Sequence, residues 1–556
     1  MFVNKKLFRH KCGKLGKSFH KLPFSIMWFL PTPGESSIIF QVSFYASVIM
    51  LTTVFLWKIF RRQCHYEIPA RDISKGHSWC VIDIFSQTAY CSICKSLIVD
   101  GWYCDSCGVY ADQSCFKKAD KSVYCKSLSG VGNSMKHHWV KGNLKSGSIC
   151  DVCETNCGTE DCLADFRCCW CQRTVHSDCL QKMSEICDLG RFKSFIVPPF
   201  CVRLKLVGIK GRRHLVVSEV RPPVFKPWNP LIVIANRKSG NNEGSYILNA
   251  FRSVLNPAQV IDIHDVSPEN GLEWCHLISN HTCRILIAGG DGTISWVLNI
   301  IDKLKIEPLP HICIVPLGTG NDLARVLGWG SGSSGVIDVK KILNQIDNAD
   351  TVNLDRWKVK IIPKRHLGIQ RPPKEIYMNN YASVGVDALV ALNFHKTRES
   401  KLYFYGSRLL NKFLYMSYGT KDLLERECKN LHQKLDLQLD GKNVQLPEVE
   451  AIVVLNIPSW GAGIRPWTMG KQQNVPVQRY DDGILEVIGI YSSFHIAQLH
   501  IGLSEPVRLG QAKEVKINLH ERLPVQVDGE PWEQFPSSII ITHLKQVTML
   551  YNYSQE

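Results

Sequence analysis

Residues Arg284–Thr293 read RILIAGGDGT. RILIA has the unbroken apolar run of a buried strand, and TISWVLNIIDKL, which begins at the threonine, has the apolar spacing of a helix. Between them stand Gly289, Gly290, Asp291 and Gly292. A strand that passes into a helix through such a loop turns free N–H groups and the positive end of a helix dipole toward the turn, which makes an anion site. The glycines keep side chains out of the path of a phosphate. Thr293 supplies a hydroxyl, and Asp291 a carboxylate that either orients Mg²⁺ or fixes the loop.

The same logic recurs on both sides. LIVIANRKSG (Leu231–Gly240) is a strand entering a polar loop that holds Asn236, Ser239 and Gly240. HICIVPLGTGNDLARVLGWG (His311–Gly330) repeats strand, glycine loop and helix, with Gly318, Thr319, Gly320, Asn321 and Asp322 in the loop. Three such units in about 100 residues predict a parallel sheet with helices on its faces. One loop alone reads equally as a tight turn, with Asp291 or Asn321 as a helix cap. Two in one sheet favour a phosphate-bearing ligand, and the lysine of GxxxxGK[ST] is absent. The Pro-rich RPPVFKPWNP (Arg221–Pro230) marks a boundary before this region. From Asp355 onward the chain offers short β-type runs, DRWKVKII, AIVVLNI, ILEVIGIY, EVKINL and SIIITH.

At 556 residues the chain exceeds one core and predicts about three or four domains. Apolar residues make up 45% and charged ones 21%, which excludes bulk disorder. A net charge of +16 suits an anionic partner: nucleic acid, an acidic membrane or a polyphosphate. No RRM- or helix-turn-helix-like pattern appears, which argues against nucleic acid.

Sixteen of the 23 cysteines lie between Cys80 and Cys187. Their CxxC pairs and interspersed histidines argue for zinc in a reducing compartment. One set is His138, Cys150, Cys153, Cys168, Cys171, His176, Cys179 and Cys187, with His137 competing for the first place. Eight ligands make two tetrahedral sites. A looser copy precedes it: His77, Cys91, Cys94, Cys104, Cys107, Asp112, Cys115 and Cys125, with an aspartate where the second copy has His176.

Ser37–Trp57 is a run of 21 uncharged residues followed by Lys58, Arg61 and Arg62. As a helix it would reach about 31 Å, and it predicts a membrane anchor, either a simple span or half of a re-entrant hairpin with Phe24–Leu30.

The cysteine pattern resembles the C1, diacylglycerol-type, domain. In that family the ligands interleave, which implies one site from His138, Cys168, Cys171 and Cys187 and another from Cys150, Cys153, His176 and Cys179. The first copy shortens the lipid-inserting hairpin, and neither copy has the Gln-Gly pair that props its groove open. A structural or docking role is therefore favoured over lipid capture.

AGGDGT, PLGTGND, GWG, MNNYASVGVDA and VDGEPW together resemble the catalytic region of the diacylglycerol kinases, from about Pro230 to Tyr551. Taken with an anchor and two C1-like modules, the chain is most similar to the epsilon type of that family. The resemblance implies a multidomain chain: an N-terminal membrane helix, two small zinc-binding C1-like domains, and a two-domain lipid-kinase unit of an α/β parallel sheet plus a β-rich domain. The expected segments are a basic stretch (1–36), anchor (37–60), first and second zinc modules (76–126 and 137–188), linker (189–229), ATP-binding α/β domain (230–350) and β-rich domain (351–551). It further implies ATP, Mg²⁺ and Zn²⁺ as cofactors. The substrate would be diacylglycerol, with arachidonoyl-rich species preferred, and anionic lipids at the endoplasmic reticulum or plasma membrane would be partners. Asn236–Gly240 and Gly289–Thr293 would surround ATP, with Thr319 near its phosphates. Glu530 would be the general base and Asp528 its support. The Asp481–Gly483 turn resembles a metal-binding turn of bacterial relatives and reads equally as a plain turn. Phe394–Gly419 is aromatic and basic and could line an acyl groove or form a core helix. A sphingolipid kinase on the same fold and a catalytically dead scaffold are the rivals.

Overall fold

The computed structural model describes residues 35–553 apart from 63–65, 72–75, 83–87, 159–162, 210–212, 241, 279, 333–336, 365–371, 400–427 and 471–474. The chain divides into two units, Met1–His65 and Tyr66–Glu556. In the first, Glu35–Arg62 form one helix, α1. Its described side chains, from Ser43 to Leu56, are exposed. Ser43, Ser47, Thr52 and Thr53 interrupt the apolar run, and the last three turn their hydroxyls back onto the carbonyls of Ser43, Val48 and Ile49 at 2.8, 2.8 and 2.6 Å. Among the described residues no helix is long and apolar enough to cross a membrane. The expectation of a membrane-spanning helix over Ser37–Trp57 is corrected on that finding: the stretch forms a helix, and no span is found among the described residues. Phe24–Leu30 and most of Phe394–Gly419 lie outside the described residues.

In the second unit Leu231–Ala235 (β1), Val260–Asp262 (β2), Arg284–Gly289 (β3) and His311–Pro316 (β4) run parallel in the order β2-β1-β3-β4. Every residue of β1 is buried, as a parallel sheet covered on both faces requires. Helix α2 (Glu243–Val254) follows β1 and helix α3 (Asp291–Leu304) follows β3. Ile294, Val297, Leu298 and Ile301 of α3 share one buried stripe at helical spacing. Gly289 at the end of β3 is in register with Pro316 at the end of β4. The loops 290–293 and 317–322 therefore emerge side by side at the carboxyl edge of the sheet, where open α/β sheets bind ligands.

The β-rich half comprises Asp350–Pro363 (β5), Tyr381–Gly385 (β6), Leu435–Leu439 (β7), Ala451–Leu455 (β8), Leu485–Ile490 (β9), Val507–Ala512 (β10), Glu514–Leu519 (β11), Leu523–Val527 (β12), Glu530–Gln534 (β13) and Ser537–Tyr551 (β14). Six of these form an antiparallel sheet ordered β10-β9-β8-β6-β12-β13. Strand β14 leaves this half and pairs with β4 at Ile312↔Met549, while β5 runs antiparallel to it from Asp350↔Tyr551 to Pro363↔Ser537. A two-stranded ribbon thus ties the halves together, and the C-terminal strand completes the sheet of the first half.

The zinc modules each carry a small three-stranded sheet. The stretch read as a linker, 189–229, contains a hairpin, Val202–Val207 with His214–Val220, to which Ile68–Pro69 adds a third strand.

Candidate active site and metal centres

The two halves enclose a cleft of about 740 Å³. It is lined by Asn236, Lys238, Ser239 and Gly240 after β1, by Gly290–Thr293 after β3, and by Gly318, Thr319, Gly320 and Asp322 after β4. The β-rich half contributes Asn380, Tyr381, Gln526, Asp528, Gly529 and Glu530. Of the residues singled out in the sequence for the phosphate site, Arg237, Gly289 and Asn321 do not line it, nor does the Asp481–Gly483 segment.

The glycines serve different ends. A Cβ on Gly289 would meet the Thr293 side chain at 2.7 Å, so this position is needed for α3 to start where it does. A Cβ on Gly290 would meet the Cα of Gly318 at 3.0 Å, and one on Gly318 would meet the Cα of Gly290 at 2.7 Å. These two glycines let the loops touch backbone to backbone. Gly292 faces the cleft, and its nearest neighbour is Oε1 of Glu530, 3.3 Å from where a Cβ would stand. Asn321, at a φ of 54°, accepts a hydrogen bond from Gly318 N at 2.8 Å and donates to the carbonyls of Gly318 and Ser331. It locks its own loop.

Asp291 is half-buried as a residue, and the burial of its carboxyl raises its pKa. Its Oδ2 accepts from Asp322 N at 3.2 Å, and its Oδ1 from Leu323 N at 3.2 Å and Asn380 Nδ2 at 3.0 Å. It caps the short helix Asp322–Val326 and reaches across to the other half, as a loop-fixing group does. Asp322 is engaged likewise, by the Ser459 hydroxyl at 2.5 Å and the backbone of Ala462 and Gly463.

Asp528 lies at the turn between β12 and β13 with a φ of 49°. Oδ1 accepts from Asn380 N at 2.8 Å and Tyr381 N at 3.2 Å, and Oδ2 from the backbone and side chain of Asn379 at 2.8 and 2.9 Å. Burial pushes its pKa up to about 6, against the pull of these donors. Asn379 is held in turn by Nε of the fully buried Arg356 at 2.7 Å. Glu530 is exposed to the cleft, and its side chain makes no hydrogen bond or ion pair among the described residues. Asp528 is thus an anchor for the turn, and Glu530 is the carboxylate left available for chemistry. Lys238 lies within the Asn236–Gly240 stretch expected around ATP. Asn379, Asn380 and Arg356 carry no role on sequence grounds; MNNYASVG contains the two asparagines, yet nothing local says that they serve Asp528.

The Asp481–Gly483 segment is a turn. Arg479 pairs with Asp481 at 2.8 Å, and Asp482 accepts from Ile484 N at 3.0 Å.

The cysteines gather into clusters whose ligand atoms lie within 4.8 Å of one another. Tetrahedral zinc with Zn–S bonds of about 2.3 Å places sulfurs about 3.8 Å apart, so the sets fit the ion. His77, Cys104, Cys107 and Cys125 form one, with His77 Nδ1 3.2 Å from Cys107 Sγ and its Nε2 2.8 Å from the Val123 carbonyl. That second contact turns Nδ1 toward the sulfurs, where it would ligate zinc. Cys150, Cys153, His176 and Cys179 form another. The third is His137, Cys168, Cys171 and Cys187, and here the assignment of His138 is corrected. Neighbouring residues of an extended segment point to opposite faces, so only one of the two histidines can enter the site, and it is His137, whose Nδ1 lies 3.5 Å from Cys171 Sγ. Cys91, Cys94 and Cys115 gather without Asp112.

Both modules pack on the far end of α2 from the cleft. The buried Lys126 donates to the carbonyls of Ser253 and Leu255 at 3.1 and 2.8 Å, a cation at a helix C-terminus. Its Nζ also lies 4.2 Å from the centre of the Trp170 ring. Arg252 pairs with the buried Asp105 at 2.9 Å.

Anion-directed loops on one wall and a free carboxylate on the other are the parts from which a phosphotransferase is built. Comparison with known proteins gives this class its family. The diacylglycerol kinase catalytic domain profile matches residues 230–358, the diacylglycerol kinase accessory domain profile residues 377–531, and the phorbol ester/diacylglycerol binding (C1) domain profile residues 137–190. A probable diacylglycerol kinase 3 of Caenorhabditis elegans is 34% identical over 84% of this chain and 63% of its own length. Diacylglycerol kinase 2 of Arabidopsis thaliana is 29% identical over 96% of this chain and 93% of its own. Human diacylglycerol kinase iota is 34% identical over 80% of this chain, which spans 47% of that relative. The chain belongs to the diacylglycerol kinase family.

Proposed function

We propose that the protein transfers the γ-phosphoryl group of ATP to the free hydroxyl of a 1,2-diacylglycerol, releasing phosphatidate and ADP. The observation that carries this reading is that one cleft joins the glycine loops of the catalytic-domain match to Asn380, Asp528 and Glu530 of the accessory-domain match. The backbone of loops 290–293 and 317–322 would hold the phosphates. Glu530 would take the proton of the hydroxyl as its oxygen attacks phosphorus. Mg²⁺, when bound with the nucleotide, would neutralise charge on the phosphates. Asp291, Asp322 and Asp528 already receive hydrogen bonds on both oxygens, so the ion would rest chiefly on phosphate oxygens, with Glu530 the protein carboxylate within reach of them. The net charge of +16 favours work at an anionic lipid surface. The finer substrate, arachidonoyl-containing diacylglycerol, rests on the resemblance to the epsilon type, and with it a role in ending a lipid signal and returning the lipid to phosphatidylinositol.

The test is transfer of labelled phosphate from ATP to mixed-micelle lipids. Labelled phosphatidate from diacylglycerol is expected, with arachidonoyl species ahead of saturated ones. Product on sphingosine instead would change the substrate, and no product on either lipid from a zinc-loaded chain would leave a scaffold.

Asp528 also sets a pH dependence. With its pKa raised from 3.8 to about 6, its contribution to stability is present below the ordinary carboxyl value and is lost as the pH rises through about 6. Activity runs the other way, because only the ionised carboxylate accepts from all its N–H partners. A pH–rate profile of kcat/KM should show an acid limb near pH 6 that disappears from the residual activity of Asp528→Asn. A rate that stays flat from pH 7 to pH 5 would remove Asp528 from this role.

A further inference from the structure

The two zinc modules share the local spacing Cys-x2-Cys-x4-(Asp/His)-x2-Cys at Cys104–Cys115 and Cys168–Cys179, and Asp112 of the first occupies the place of His176 in the second. The structure separates the two residues. His176 turns into its cluster, with Nδ1 3.2 Å from Cys153 Sγ. Asp112 turns away: its Oδ1 accepts from the backbone N of Ser114 at 2.9 Å and from the Ser114 hydroxyl at 2.7 Å. This is the aspartate turn that a serine two residues on supports, and it competes directly with ligation. The sulfurs of Cys91, Cys94 and Cys115 still gather within 4.8 Å of one another, so three corners of a tetrahedron are built and the fourth has no protein ligand among the described residues. Cys94 is exposed and Cys115 half-buried, so solvent reaches that corner.

We infer that the outer metal centre of the first module is an open three-thiolate site. Zn²⁺ held there keeps its fourth position for water or another small monodentate donor. Three other clusters are each closed by four protein ligands, as structural zinc is. The open centre is therefore the exchangeable one of four, because an incoming chelator or metal can join the ion before any thiolate leaves.

The experiment uses the full chain loaded with zinc. Four equivalents of metal are expected, one released rapidly to EDTA and three slowly. Cys94→Ser should remove the rapid equivalent and leave the slow three, which assigns the phase. Co²⁺ exchanged into the rapid site should give a tetrahedral thiolate spectrum that shifts on adding imidazole as a probe of the open corner. Asp112→Ala should leave the metal count, the rapid phase and the spectrum unchanged. Asp112→His should restore the fourth ligand, slow the rapid phase to the rate of the others and abolish the imidazole shift. Loss of one equivalent or a changed cobalt spectrum in Asp112→Ala would make Asp112 a ligand and overturn the proposal. A wild-type chain that holds three equivalents at saturating zinc would overturn it as well.

Discussion

Gly292→Asp is expected to abolish phosphate transfer while leaving the fold intact. Gly292 stands in the first turn of α3 and is not among the glycines with positive φ, so an aspartate is conformationally allowed there. A carboxylate near a helix N-terminus is if anything favourable to the helix. The site is where the damage falls. The new carboxylate would start from a Cβ 3.3 Å from Oε1 of Glu530 and would project toward the space a phosphate needs. Two like charges about 4 Å apart repel by about 4 kcal/mol at the effective dielectric of a protein surface. Spread over a bound polyphosphate, that is a loss of about 10³-fold or more in turnover. Gly292→Ala separates charge from bulk: its methyl meets only the tip of a flexible side chain, and most activity should survive. Labelled-product assays on both variants, with circular dichroism and zinc content to show that each is folded, decide the matter. Near-normal turnover from Gly292→Asp would mean that phosphate does not pass over α3.

The contrast among the glycines shows how far the sequence could be read. That AGGDGT and PLGTGND are two glycine loops at the ends of parallel strands followed from apolar runs and helical spacing, which are local properties. That Gly290 and Gly318 are needed because the loops press against each other did not follow, since it depends on the register Gly289↔Pro316 between strands. The same limit hid the use of Asp291. Its partner Asn380 lies 89 residues away, and only the folded chain shows a carboxylate capping one helix and clamping the opposite half. Asp528 was legible as a candidate, but its hold on Asn379, 149 residues away, was not. In the zinc modules the intervals were legible, whereas the choice between His137 and His138 turned on which face of a short extended segment meets the sulfurs. For α1, freedom from charge suggested a membrane span; the stretch does form a helix, but no span is found among the described residues.

Glu530→Gln should lower kcat by about 10²-fold or more with little change in the KM for ATP. Every other carboxylate lining the cleft already serves the fold: Asp291 holds a helix, Asp322 holds the Ser459–Gly463 segment, and Asp528 holds the Asn379–Tyr381 backbone. Glu530 alone stands at the mouth between the halves without such a duty, beside the turn at which α3 begins. A glutamine keeps its size and can still hydrogen-bond a hydroxyl, but it cannot take up the proton. Nucleotide binding, which belongs to the opposite wall, should therefore survive while the transfer step fails. Asp528→Asn should behave differently, because an amide cannot accept from donors on both of its polar atoms; the turn would shift, and stability and KM should change together with kcat. The decisive comparison is kcat against KM for the two variants alongside their thermal midpoints. A Glu530→Gln protein with wild-type turnover would take the proton-accepting role away from this residue, and a loss confined to nucleotide affinity would move it to binding.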